Sequence, residues 1–131
     1  MNAMPDLASF ALGCADGVAR IDFNRPERAN ALDFAMWHEL GAAFRWADTA
    51  PDVRVVVLGG RGRHFTAGID LAFLTELRAG LGDAGPGRLH ERLRLTILEL
   101  QATVSAIEAC RKPVIAELHG ACIGGGIDIA C

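Results

Sequence analysis

The fold class follows from a short β-branched run, Val53-Arg54-Val55-Val56-Val57-Leu58, which ends at Gly59-Gly60. An apolar run of this length, bounded by turn residues, is typical of a strand buried in a parallel sheet. Upstream, Val18-Ala19-Arg20-Ile21-Asp22-Phe23 alternates between two faces, which predicts a half-buried strand. Because parallel strands need a long crossover connection, the sequence predicts a βαβ unit over residues 18–58.

The segment between these two strands has the pattern of an amphipathic helix. Asp33 is a candidate N-cap, and apolar residues follow at helical spacing to about Ala47. The apolar stripe consists of Phe34, Trp37, Leu40 and Phe44. Before the first strand, Phe10-Ala11-Leu12 is a candidate partner strand for it.

The second half of the chain again combines helix and strand patterns. Residues 79–87 contain four glycines and a proline, which predict a mobile loop. An apolar stripe then predicts the clearest helix: Leu89, Leu93, Ile97, Leu100, Val104 and Ile107. Pro113 opens a predicted strand over residues 114–118, and residues 127–131 look like the first turn of another helix. Because so short a helix is unstable alone, we expect the chain to be the front part of a larger domain.

Composition and charge exclude several classes of protein. A chain of 131 residues has the length of one domain, and 51% hydrophobic with 22% charged residues argues against disorder. The net charge is −3, and the 12 arginines and one lysine form no dense run, so no nucleic-acid partner is expected. No apolar run reaches the roughly 18 residues of a membrane span, so no membrane partner is expected.

The cysteines and the N-terminal residues predict a reduced, cytoplasmic protein without a metal site. The four cysteines lack CxxC spacing, and residues 1–6 contain neither a secretory signal nor an Arg-rich transit sequence. The signatures of P-loop, dinucleotide-binding, Gly-x-Ser-x-Gly and zinc-protease sites are absent. Cys122 lies three residues after His119, so a Cys–His nucleophile is one alternative.

Two glycine-containing segments, each after a predicted strand, are the candidate site. They are Arg63-His64-Phe65-Thr66-Ala67-Gly68-Ile69-Asp70-Leu71 and His119-Gly120-Ala121-Cys122-Ile123-Gly124-Gly125-Gly126-Ile127-Asp128. Glycines let a ligand approach backbone N–H groups, and two such segments that converge can direct two donors at one oxygen. Close packing and turn geometry are the alternative explanation for the glycines.

A third segment is Asn24-Arg25-Pro26-Glu27-Arg28-Ala29-Asn30-Ala31-Leu32. The three segments together resemble the crotonase (enoyl-CoA hydratase/isomerase) superfamily in their order and approximate spacing. The resemblance covers residues 10–131 and implies an α/β fold, a repeated ββα superhelix of which this chain is the N-terminal part. Residues 1–131 are thus expected to be the N-terminal portion of one crotonase-like domain. The run Gly-Gly-Gly-Ile-Asp most resembles the dienoyl-CoA isomerases.

The resemblance implies catalytic roles for three residues. The backbone N–H groups of Ile69 and Gly125 would form an oxyanion hole for the thioester carbonyl of an acyl-CoA. Asp128 would be a carboxylate of the catalytic pocket, where hydratases carry Glu. For Ile69 the alternative is ordinary hydrophobic burial, and for Asp128 a favourable interaction with the helix dipole.

The resemblance also implies a set of residues that bind the coenzyme A part of the substrate: Arg28, Ala29, Ala31, Ala67, Asp70 and Leu71. Arg28 suits phosphate, and the backbone carbonyl of Ala67 would meet the adenine. Asp70 is alternatively the N-cap of a short helix through Arg78.

The function implied is an acyl-CoA isomerase or hydratase of fatty acid metabolism that stabilises a thioester enolate, most like a dienoyl-CoA isomerase. An enoyl-CoA hydratase and a non-catalytic acyl-CoA-binding fragment are the alternatives, since relatives carry further acid/base carboxylates beyond the position of Cys131. The resemblance implies no separate cofactor, since coenzyme A is part of the substrate, and a homo-oligomer (trimer or hexamer) for the full-length protein.

Overall fold

The computed structural model describes residues 3–131; Met1 and Asn2, part of the N-terminal segment read for a targeting signal, lie outside the described residues. The elements are, in chain order, β1 (Phe10–Ala15), β2 (Val18–Phe23), α1 (Phe34–Thr49), β3 (Val55–Gly60), α2 (Leu71–Leu81), α3 (Pro86–Ala109), β4 (Val114–Ala116) and α4 (Gly125–Ala130). A 3₁₀ turn at Pro26–Arg28 follows β2. The predicted mixture of helices and strands is confirmed.

The four strands form one sheet in the order β1-β2-β3-β4. β1 and β2 form an antiparallel pair, in which Leu12 lies opposite Ile21. β3 is parallel to both β2 and β4, and Leu58 pairs with Ile21 on one side and Ala116 on the other. The βαβ unit predicted over residues 18–58 is therefore confirmed, and α1 is its crossover helix.

The core lies between the sheet and α1. Asp33 is the N-cap of α1, as predicted, because its carboxylate accepts a hydrogen bond from the N–H of Met36. The sheet contributes Ala19, Ile21, Phe23, Val56 and Leu58, and α1 contributes Met36, Leu40 and Phe44. Helix α3 covers the other side of α1, and a Cβ on Gly41 would lie 3.3 Å from the Cβ of Thr103. Glycine at position 41 thus allows the two helices to approach closely.

Several predicted boundaries differ from the structure. Helix α2 continues to Leu81 and α3 begins at Pro86, so the loop predicted over residues 79–87 shortens to residues 82–85. Proline is favourable in the first turn of a helix, where its missing N–H is not needed. β4 ends at Ala116 rather than at Leu118, since pairing with β3 covers only Val114–Ala116.

Candidate active site

Three loops meet at one edge of the sheet. The first loop (residues 24–32) follows β2, the second loop (residues 61–70) follows β3, and the third loop (residues 117–124) follows β4. The carboxyl ends of parallel strands lie at the same edge, which is where open α/β sheets bind ligands. The segments that carry the family resemblance are therefore neighbours in space.

Thr66 lies at the centre of the three loops and is fully buried. Its hydroxyl group donates to the carbonyl of Asn30 over 2.6 Å and accepts from the N–H of Gly68 over 3.1 Å. Its backbone N–H donates to the carbonyl of Ala121 over 3.1 Å, and its carbonyl accepts from the N–H of Ile123 over 3.2 Å. Thr66 thus connects the second loop to both of its neighbours.

Asn30, also fully buried, fixes the path of the second loop. Its side-chain NH₂ group lies within 3.1 Å of three carbonyl oxygens, those of Arg61, His64 and Phe65. Its side-chain oxygen accepts from the N–H of Arg25 over 2.9 Å. Because a buried polar group without a partner costs free energy, this network defines a single arrangement of the two loops.

The second and third loops are in close contact at Gly68. A Cβ on Gly68 would lie 2.7 Å from the carbonyl oxygen of Ile123, and the φ of Gly68 is +88°. A side chain would therefore clash with the third loop and strain the backbone. Close packing explains Gly68 directly, and the same packing brings the second loop against the third.

The two histidines of these loops are structural. His64 Nδ1 accepts a hydrogen bond from the N–H of Ala121 over 3.0 Å, and His119 Nε2 lies 2.9 Å from the carbonyl oxygen of Gly62, to which it donates. Burial raises the pKa of the Cys122 thiol, with a smaller contribution from Cys131. A raised pKa disfavours the nucleophilic thiolate, so the Cys–His alternative receives no support.

The N–H groups of Ile69 and Gly125 donate to no acceptor among residues 3–131. Leu32 pairs with the second loop through its own N–H, which donates to Gly68, and its carbonyl, which accepts from Asp70. In a parallel pairing of this kind, the N–H of the intervening residue, Ile69, points away from Leu32. Both predicted donors are therefore free of partners in the described chain.

Gly125 lies beside the same Leu32. A Cβ on Gly125 would lie 3.5 Å from Leu32 Cδ1 and 3.1 Å from the six-membered ring of Trp37. Leu32 thus contacts α4 with its side chain and the second loop with its backbone. The structure thus brings the regions of Ile69 and Gly125 next to the same residue, Leu32.

The side chain of Ile69 is 38% exposed, so ordinary hydrophobic burial does not explain this residue. Leu71 is also exposed, at the start of α2. The alternative for Asp70 is confirmed, because its carboxylate caps α2 by accepting from the N–H of Ala72 over 3.0 Å. Helix α2 extends three residues beyond the predicted end at Arg78.

Asp128 lies in the first turn of α4 and is exposed. It lines a cleft of about 580 Å³ together with Trp37, Leu100, Gln101, Val104 and Ser105. Trp37 also lies beside Gly125, which does not itself line this cleft. The helix-dipole explanation is also satisfied by this position, so geometry alone permits both roles.

Two of the predicted coenzyme A residues, Arg28 and Asp70, line a second cleft of about 390 Å³ together with Arg25 and Asp33, whereas the predicted alanines and Leu71 do not line it. The carboxylate of Asp70 lies 3.3 Å from Arg28 and 3.7 Å from Arg25. The hydrogen bond from Ala72, followed by the charge of Arg28, lowers the pKa of Asp70. The guanidinium of Arg28 remains more than half exposed.

The three predicted alanines, Ala29, Ala31 and Ala67, form hydrogen bonds only through their backbone groups. Ala29 adopts a left-handed conformation with φ +51°, which is uncommon for residues other than glycine. Its carbonyl accepts from the N–H of Ala67 over 2.9 Å. The carbonyl of Ala31 accepts from the guanidinium of Arg25 over 3.0 Å. Ala67 is exposed, and its own carbonyl accepts no hydrogen bond from the residues that the structure describes.

Sequence reasoning assigned no role to Asn30, Thr66 or Trp37. Asn30 and Thr66 lie inside the quoted segments, and a single polar residue between apolar neighbours is a weak signal for a buried hydrogen-bond network. Trp37 was placed in the apolar stripe of α1, and nothing in its spacing indicated contact with a residue 88 positions later. These contacts depend on the tertiary arrangement.

The protein belongs to the enoyl-CoA hydratase/isomerase family, whose family model matches residues 13–131. The family resemblance predicted from the three segments is thereby confirmed. The chain is similar to two Δ3,5-Δ2,4-dienoyl-CoA isomerases: the peroxisomal protein of Arabidopsis thaliana (45% identical) and the mitochondrial protein of Mus musculus (44%). Each match covers 86% of this chain, but only 41% of the plant protein and 34% of the mouse protein.

The fold is similar to that of an enoyl-CoA hydratase/carnithine racemase from Magnetospirillum magneticum. The TM-score is 0.82 with 32% identity, over 98% of this chain and 45% of that protein. The predicted crotonase-like fold class is therefore confirmed. The chain spans less than half the length of each of these relatives.

The predicted cytoplasmic location is wrong in the light of the two similar dienoyl-CoA isomerases, of which the plant protein is named peroxisomal and the mouse protein mitochondrial. Cysteine spacing and composition do not report the compartment, because organelle addresses are short segments read by receptors and are independent of the fold. In the described part of the chain, no helix combines the length and apolar character needed to cross a bilayer.

Proposed function

We propose that this chain supplies the oxyanion hole and part of the acyl-CoA site of a dienoyl-CoA isomerase-type enzyme of fatty acid metabolism. The observation that carries the proposal is the pair of unpartnered N–H groups at Ile69 and Gly125, two residues that both lie beside Leu32. Unused backbone donors next to a cleft are what a developing oxyanion requires. The similarity to two dienoyl-CoA isomerases supports this substrate class.

The chemistry follows from the acidity of a carbon next to a thioester. In a dienoyl thioester, removal of a proton from this carbon places negative charge on the thioester oxygen through the conjugated system. That oxygen then accepts hydrogen bonds from the two N–H groups. Return of the proton at a different carbon of the same system shifts the double bonds, so the reaction consumes no water and needs no cofactor. Each preorganised donor contributes roughly 3 kcal/mol to lowering such a barrier.

Asp128 is proposed as one of the groups that move the proton. Its carboxylate shares a cleft with Trp37, which in turn contacts Gly125, and no described residue forms a hydrogen bond or ion pair with it. A carboxylate without partners is available to accept or return a proton. As the side chain is one methylene shorter than Glu, activation of water for hydration is the less favoured chemistry.

The cleft at Arg28 and Asp70 is proposed to bind the coenzyme A part of the substrate. Arg28 offers an exposed guanidinium for a phosphate group. Asp70 fixes the position of Arg28, and Asp70 in turn pairs with Arg25. Ala29, Ala31, Ala67 and Leu71, which do not line this cleft, are proposed to form a further part of the coenzyme A channel. The full-length protein is proposed to be a homo-oligomer, a trimer or hexamer.

The test removes a single N–H group. Ligation of a synthetic peptide 122–131 at Cys122 allows Gly125 to be replaced by glycolic acid, which exchanges the N–H for an ester oxygen. The probe is acetoacetyl-CoA, whose β-keto thioester readily forms an enolate. We expect the ester at position 125 to weaken binding about 100-fold, as removal of an oxyanion donor typically does. The matched control carries the ester at Gly124.

Equal binding by both esters and the unmodified chain would contradict the proposed oxyanion hole. Turnover is measured separately with a 3,5-dienoyl-CoA, by the ultraviolet absorbance of the conjugated product and by its mass. An unchanged mass indicates isomerisation, and a gain of one water indicates a hydratase. Binding without turnover indicates an acyl-CoA-binding protein.

A further inference from the structure

Trp37 has a feature that packing does not explain. It is only 6% exposed, and its indole N–H is buried with no acceptor among residues 3–131. A buried donor without a partner costs about 1–3 kcal/mol. Phenylalanine would fill an apolar site on α1 without that cost. Within residues 3–131, what tryptophan adds to phenylalanine at this position is the second ring of the indole.

The contribution lies at the far edge of the indole. Its Cζ2 and Cη2 atoms lie 3.1 Å from the position that a Cβ on Gly125 would occupy. Phenylalanine lacks these atoms, so the contact depends on the second ring of the indole. Leu32 Cδ1 lies 3.5 Å from the same position. The indole edge and the Leu32 side chain therefore both pack beside Gly125 and leave no room for a side chain there.

Trp37 is well placed to fix the backbone of Gly125. It projects from α1, the helix packed between the sheet and α3, and α1 is among the most deeply buried elements of the chain. Gly125, by contrast, opens a helix of only six residues and has no side chain of its own to anchor it. A rigid ring against a glycine restricts the rotation of the adjoining peptide groups, including the one that carries the Gly125 N–H.

We propose that Trp37 is a positioning residue that holds the N–H of Gly125 in the orientation needed to bind a thioester oxyanion. The proposal rests on the proposed function and adds a residue to it. Trp37 touches no reacting atom. It acts through Gly125, and its effect is confined to ligands that carry negative charge on the thioester oxygen.

The experiment compares two ligands of equal acyl length. Acetoacetyl-CoA forms an enolate, whereas butanoyl-CoA has the same four-carbon chain without that acidity. Calorimetry gives the ratio of the two dissociation constants for the unmodified chain, Trp37→Phe and Trp46→Phe. Trp46 is the other tryptophan, 7% exposed and also on α1, so its replacement is the matched control.

We expect Trp37→Phe to reduce the preference for acetoacetyl-CoA about tenfold, a fraction of the roughly 10²–10³-fold that loss of a whole donor costs. Butanoyl-CoA should bind as before, and Trp46→Phe should keep the full preference. A preference that survives in Trp37→Phe, or equal weakening of both ligands, would overturn the proposal. If the unmodified chain shows no preference, the oxyanion hole itself fails and the proposal fails with it.

A second measurement does not depend on the folding of Trp37→Phe. In Trp46→Phe, Trp37 is the sole tryptophan and its fluorescence reports on the surroundings of Gly125. Saturating acetoacetyl-CoA is expected to change the emission more than saturating butanoyl-CoA. Identical emission with both ligands would contradict the coupling between Trp37 and the oxyanion.

Discussion

Between the sheet and α1 the buried side chains are apolar, whereas the loops at the edge of the sheet bury Asn30, Thr66 and Asp70. These three are half of the six buried polar residues in the described part of the chain. Apolar burial is non-directional and tolerates small shifts, but hydrogen bonds and glycine contacts require one geometry. The core thus supplies stability, and the loops supply the fixed positions that binding and catalysis need.

The largest effect is expected in the core. Leu40 is fully buried under the sheet, so Leu40→Ala should lower the free energy of unfolding by about 2–5 kcal/mol through lost burial and a cavity. Leu98 on α3 is 46% exposed, and Leu98→Ala should change it by less than about 1 kcal/mol. Urea denaturation measures both. If both variants lost the same free energy of unfolding, the buried and the exposed leucine would contribute equally to stability, which would contradict the structure.

The next effect is expected where the second and third loops touch. Gly68→Ala should cost about 2–3 kcal/mol, since it combines backbone strain with a clash against Ile123. It should also abolish detectable acetoacetyl-CoA binding in calorimetry. Gly13→Ala is the control, because a Cβ on Gly13 meets no atom within 4 Å. Unchanged binding by Gly68→Ala would mean that the contact between the loops does not shape the site.

A smaller effect is expected from the buried hydroxyl of Thr66. Thr66→Val keeps the shape but leaves the carbonyl of Asn30 and the N–H of Gly68 without this partner, at a cost of about 1–2 kcal/mol. The control is Thr96→Val, whose hydroxyl is exposed on α3. Thermal unfolding of the unmodified chain and the two variants should show a loss of stability for Thr66→Val only. A Thr66→Val protein as stable as its parent would show that the network is not needed.

The smallest effect is expected from the charge of Asp70. Asp70→Asn keeps a residue that caps helices but removes the negative charge beside Arg28. Because the Arg28 side chain is more than half exposed to solvent, the ion pair should contribute only about 0–1 kcal/mol. The pKa of Asp70 is lowered in the folded protein from its ordinary value of 3.8, so its stabilising contribution is present above that pH.

That contribution should disappear as the pH falls through the lower folded-state pKa of Asp70. The difference in stability between the parent and Asp70→Asn, measured by urea denaturation from pH 7 downward, should therefore shrink toward zero in acid. A difference that grows in acid would contradict the charge interaction.

Local rules predicted much of the fold. The caps Asp33 and Asp70 could be predicted because a carboxylate at the start of a helix is recognisable within four residues. Strands β2 and β3 could be predicted because the side-chain pattern of a strand is complete within a few consecutive residues. The exposure of Ile69 was not predicted, since it depends on which side of Leu32 the second loop passes. The network at Asn30 and Thr66, with 36 positions between its partners, likewise depends on tertiary contacts.

The central claim is that Ile69 and Gly125 bind the same oxygen, and a crystal structure of the chain with acetoacetyl-CoA tests it most directly. The account predicts the thioester oxygen within about 2.7–3.1 Å of both backbone nitrogens. A thioester oxygen bound elsewhere, or within reach of only one of the two nitrogens, would contradict it.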